Sequence, residues 1–113
     1  EVCWVPAGAT VVGGYITSGD GDTGIEALDI DIGWAANGVD AADADGLGNL
    51  GTWTGDPSKT APTGNFFNLC GVLQTTGPKT FTVDTKIQLE TNTAAATGVA
   101  MNVTVVVFYI FNA

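Results

Sequence analysis

The sequence predicts an all-β, single-domain β-sandwich, and three observations carry that prediction. β-Branched Val, Ile and Thr recur in short runs that read as strands. Gly, Asn, Asp and Pro punctuate those runs at close spacing. Almost no segment carries a helical period. A chain of 113 residues with 45% hydrophobic residues has the size of one domain. Five or six strands without helices need two packed layers to bury their inner faces. A jelly-roll is one candidate topology and an immunoglobulin-type sandwich the alternative. For the latter, Cys3, Trp34 and Cys70 follow the Cys-Trp-Cys order only loosely.

Residues 1–9 are expected to form an N-terminal arm, with Trp4 as its anchor. Residues 10–17 (TVVGGYIT) read as the first strand, where Gly13-Gly14 signals a bulge or close packing. Residues 18–24 (SGDGDTG) read as a turn or exposed loop. In residues 25–34, Leu28, Ile30, Ile32 and Trp34 share one face while Asp29 and Asp31 take the other. Residues 35–64 read as a long acidic, Gly-rich loop, with a short helical turn near 39–44 and Trp53 in a candidate short strand. Residues 65–74 (NFFNLCGVLQ) are apolar on both faces, which predicts a central strand. In residues 79–90, Phe81, Val83, Ile87 and Leu89 alternate with Thr82, Asp84, Lys86, Gln88 and Glu90, which predicts a core face and a solvent face. Residues 99–111 form the last strand. From Val105 onward both its faces are apolar, so burial by the core and by another element or subunit is expected there.

Charge narrows the function classes. The net charge is -9, and nine of the twelve acids fall within residues 20–56, where there is no base. Such a surface repels phosphate backbones and anionic bilayers, which disfavours nucleic-acid and membrane binding. For most of these acids solubility is a sufficient explanation. No run reaches the ~18 apolar residues of a membrane helix, and residues 103–111 are apolar but short. No signal peptide is visible, and the lack of Met at position 1 suggests processing or a fragment. The sequon Asn102-Val103-Thr104 falls inside a predicted strand and is discounted. Cys3 and Cys70 are expected as buried free thiols, although a single bridge would also fit two cysteines.

Catalytic chemistry finds little to work with, and the sequence reads as a non-enzyme. There is no His and no Arg, which removes the commonest general base. Ser18 and Ser58 have no activating partner motif. Asp29 and Asp31 stand about 7 Å apart along a strand, which suits paired-carboxylate chemistry and solvated acids equally. Asp40, Asp43, Asp45 and Gly46 resemble part of a calcium loop, but Ala41 and the lack of a closing Glu break the pattern. The letters Gly46-x-Gly48-x-x-Gly51 lie in an acidic loop, without the strand and helix a phosphate loop needs. No metal and no cofactor are expected. Trp4 and Trp53, in less regular segments, are candidates for stacking on sugars or anchoring an interface, whereas Trp34 reads as core.

Four segments in order carry a family resemblance: Val5-Pro6-Ala7-Gly8-Ala9-Thr10-Val11-Val12-Gly13-Gly14-Tyr15, Leu28-Asp29-Ile30-Asp31-Ile32-Gly33-Trp34, the acids Asp40, Asp43 and Asp45, and Val103-Thr104-Val105-Val106-Val107-Phe108-Tyr109. With these the chain resembles small virion structural proteins of tailed bacteriophages, notably marine and cyanobacterial ones. Its size and β composition are similar to head decoration, or cement, proteins. The resemblance implies a homotrimer on the outer capsid surface of the virion, assembled in the host cytoplasm. It implies the major capsid protein as partner and stabilisation of the capsid as the role. The interface residues expected on this reading are Trp4, Trp53, Val105, Val107, Tyr109 and Phe111. The competing expectation is a carbohydrate-binding or adhesion module on a virion or cell surface, using Trp4 or Trp53, with calcium held through Asp43 and Asp45 as an option.

Overall fold

The computed structural model describes residues 2–19, 21–22, 27–49 and 65–111. Among these, β1 spans Cys3–Val5, β2 Ala9–Ser18, β3 Asp29–Trp34, β4 Asp43–Asn49 and β5 Asn65–Asn68. The helix α1 (Val72–Thr75), β6 (Lys79–Thr80), β7 (Thr85–Thr93) and β8 (Val103–Phe111) follow. Two antiparallel sheets pack face to face, and the chain is an all-β single-domain sandwich. The first sheet has the order β1-β7-β3-β4. In the second, β2 pairs with β8 along one side and with β5 and β6 along the other.

Period-2 alternation decides which side chains enter the core. Val5, Val11, Ile32, Leu47, Phe81 and Ile87 are fully buried between the sheets. A second cluster, around Ile16, Leu28 and Ile30, continues the core toward the start of β8. Trp34 closes the first cluster. Its ring meets Phe81 edge-on at 5.3 Å, and its Nε1 donates to the Ala41 carbonyl at 3.0 Å. That bond satisfies the one polar atom of a side chain only 4% exposed.

Several sequence expectations are corrected. The expected arm is not free: Cys3–Val5 is a strand on the edge of β7, with Val5 in the core and Trp4 outward. The acidic stretch after Trp34 is not all loop, and Asp43–Asn49 forms β4 in place of the expected helical turn. The central strand expected over 65–74 is a four-residue strand followed by a helical turn. Gly71 makes that change of direction, with φ of +64° and backbone packed against the Gly46 carbonyl. The alternating run 79–90 is two strands in different sheets. Phe81 exchanges backbone hydrogen bonds with Gly8 and Ala9, and a turn then carries the chain across to β7. Ser18 and Asp22, expected in an exposed loop, are both buried.

Asp22 explains how that end of the sandwich holds together. Its carboxylate accepts backbone N–H bonds from Ala27 and Leu28 at 3.0 and 3.3 Å, and from Ala96 and Thr97 at 2.8 Å each. One buried charge therefore ties the entry to β3 to the loop before β8. Charge-assisted bonds of this kind are roughly twice as strong as neutral ones.

Candidate functional site

The two sheets turn very different outer faces to solvent. On the β1-β7-β3-β4 sheet, the outward residues of β3 are Asp29 and Asp31, and Glu90 pairs across from Asp31 on β7. Asp31 is only 8% exposed, and its Oδ1 has no hydrogen-bond partner. Loss of solvent around it, and the nearby charges of Asp29, Asp45 and Glu90, push its carboxyl above the ordinary value. Asp43 is also pushed up, by lost solvation and by sharing a hydrogen bond with Asp45. Asp40 goes the other way. Lys79 donates to its Oδ1 at 2.6 Å and Asn37 donates to its Oδ2 at 3.2 Å, and both hold it below the ordinary value. Trp4 is half exposed on this face, with the Lys86 ammonium 5.1 Å from its ring.

The sheet containing β2 presents the opposite chemistry. Register places Tyr15 beside Asn68 and Val106, and Thr17 beside Phe66 and Thr104. The outward set includes Val12, Tyr15, Phe66, Val106, Phe108 and Ile110, with the uncharged polar residues Thr17, Asn68 and Thr104 beside them. Tyr15 stacks on Phe66 at 5.2 Å and meets Phe108 edge-on at 6.0 Å. Phe66 is 60% exposed, Phe108 51% and Ile110 52%. No residue of β2, β5 or β8 is charged. The extra residue of the bulge between Val11 and Gly13 shifts the alternation of β2, so that Tyr15 points outward although Val11 points inward, and Val12 is left exposed. Gly14 fixes the closeness of β2 and β8. At its φ of +150°, a Cβ would fall onto the Val106 carbonyl and 2.7 Å from Leu69 Cδ1.

Val105 and Val107 point inward and pack on the core. Tyr109 and Phe111 lie on the inward parity of β8 but remain 42% and 61% exposed, in edge contact with each other at 5.7 Å. The burial expected for the end of β8 is therefore not supplied within the described residues of the chain. Trp4 lies on the opposite sheet, so it does not join them. Trp53 and Ser58 lie outside the described residues. Among the described residues no three acidic or thiol side chains group as metal ligands. Cys3 and Cys70 are free, and burial raises the Cys3 thiol above its ordinary value.

A cleft of about 390 Å3 opens beside Trp34, Asp43, Pro78 and Lys79. Trp34 is too buried to offer its ring there as a platform for a sugar. Sequence reasoning read 65–74 and the end of β8 as apolar on both faces, but missed that β5 and β8 flank β2 and join their outward residues into one face. Phe66 and Phe67 point to opposite sides of β5, so one of them is necessarily outward.

Comparison with known proteins adds no relative: the chain matches no protein-family model, no curated protein and no solved structure.

Proposed function

We propose that this chain is a non-catalytic structural protein that decorates the outside of a tailed-phage head. It would dock the outer face of the β2-containing sheet on the major capsid protein and leave the acidic sheet facing solvent. The observation that carries the reading is the contrast between the two faces. An aromatic row of Phe66, Tyr15 and Phe108, flanked by Val12 and Ile110, lies on a surface without charge. Contiguous exposed apolar surface of this kind marks a protein interaction site. Aromatic residues at its centre are the usual source of binding energy. The acids are gathered elsewhere, where they keep the coated surface soluble and repel non-specific contacts. The resemblance to decoration proteins selects the capsid as the partner and the virion surface as the location. Many copies on one lattice would stabilise it through multivalent contact.

The test is cosedimentation with heads of the phage that carries the chain. Phe66→Lys places a charge at one end of the row, against Tyr15, and is expected to weaken binding at least tenfold, while an exposed position changes stability by less than about 0.5 kcal/mol. Undiminished binding of Phe66→Lys would remove this face from the account. Trp4, half exposed under Lys86, keeps a sugar-binding reading open on the other sheet. Glycan-array binding that is lost in Trp4→Ala would favour that reading over decoration.

A further inference from the structure

The edges of the two sheets are not equally protected. β1, β5 and β6 are only three, four and two residues long. β4 is longer, but it carries Asp43, Asp45, two glycines and a register shift against β3. Short edges, charges and bulges are the ordinary means of preventing strand addition. β8 has none of them. It runs nine residues, Val103–Phe111, without charge, Pro or Gly, and pairs regularly with β2 apart from the bulge at Val12 on that partner. Among the described residues no strand pairs with its other side.

From this edge we infer that two copies of the chain pair β8 to β8, antiparallel and centred on Val107, to make one continuous sheet. The inference does not depend on the capsid reading. Three features of the strand select a second copy as the occupant. Antiparallel pairing about Val107 preserves facing: Phe108 comes beside the second copy's Val106, and Ile110 beside the second copy's Thr104. Tyr109 comes beside the second copy's Val105 on the inward side. Aromatic and β-branched cross-strand pairs of this sort are favourable. Charge permits the approach, because the -9 of each copy is carried by other elements and none by β8 or β2. Area is adequate. Phe108, Tyr109, Ile110 and Phe111 are 42–61% exposed, which leaves roughly 400 Å2 of side-chain surface uncovered. That is about half of the ~800 Å2 per partner in a standard interface, before the strand edge and Val106 are added. Such a contact is two-fold and closes at two copies. The three-fold assembly implied by the resemblance would need other surfaces.

Light scattering or sedimentation of the full chain across about 1–200 µM tests this without any capsid. The expected mass rises from 11.5 kDa toward twice that value and no further. Thr104→Lys and Ile110→Asp, both at exposed positions, should each weaken the dimer at least tenfold. In the double variant the introduced ammonium of one copy stands beside the introduced carboxylate of the other, so it should bind at least tenfold tighter than Ile110→Asp alone. Circular dichroism establishes that each variant is folded. A monomer throughout, a trimer, a dimer indifferent to both single changes, or a double variant no tighter than Ile110→Asp would each overturn the inference.

Discussion

The outer faces of the two sheets are built by the same alternation and end with opposite character. On β3, Asp29 and Asp31 alternate with Ile30, Ile32 and Trp34, so the outward side collects negative charge. On β8, the residues between Val105, Val107 and Tyr109 are Val106 and Phe108, so the outward side is as apolar as the core. Alternation assigns a side chain to a face, but composition determines what that face can do. One face repels its own kind and most anionic partners. The other gains from being covered, because each Å2 of apolar surface removed from water contributes about 25 cal/mol.

Substitutions on each side should separate these roles. The largest expected effect is on the apolar side. Gly14→Ala must leave a positive φ and push β8 off β2 at the Val106 carbonyl. It should cost about 3 kcal/mol in urea unfolding, and an unchanged midpoint would mean that the two strands are not held so closely. On the acidic side the sign reverses. Asp31→Asn removes a crowded, poorly solvated charge and should stabilise the chain by about 1 kcal/mol at pH 7. The Asp31 carboxyl is raised in the folded chain, so its favourable contribution is present below the ordinary value of 3.8 and is lost as pH rises through the raised value. The advantage of Asp31→Asn should therefore shrink as pH falls toward 4, and a pH-independent difference would contradict this electrostatic account.

The smallest effect is expected at Lys79, which pairs with Asp40 between partly exposed side chains. Lys79→Met should cost about 0.5 kcal/mol at pH 7. Because Asp40 is lowered in the folded chain, its contribution is present above 3.8 and is lost as pH falls through the lowered value. The wild type should lose this advantage over Lys79→Met only in strong acid. A gap that closed already near pH 6 would point to another group.

The sequence carried the sandwich and much of its core. Ile30, Ile32 and Trp34 sit on the inner face of β3 as their spacing requires, Leu28 is buried just before that strand, and Gly13-Gly14 lies at a bulge and a close approach. It did not carry β4, because Asp-Ala-Asp-Gly-Leu-Gly-Asn has low strand propensity. The strand exists because Leu47 fills the core and β3 supplies hydrogen bonds. Nor did alternation over 79–90 reveal the passage between sheets, since Phe81 and Ile87 are inward in both of them. The apolar outer face escaped for a related reason. Tyr15, Phe66 and Phe108 are far apart in sequence and meet only when β5 and β8 flank β2. The end of β8 read correctly as apolar on both sides, but the described residues of one chain supply no cover for it.

The central claim is that the side of the molecule built on β8 is the one that assembles. Hydrogen exchange of the full chain at about 1 and 200 µM reads this directly. The account predicts that β8 amides gain protection at the higher concentration while β3 and β7 amides are unchanged. β8 exchange independent of concentration, or protection gained instead on the acidic sheet, would contradict it.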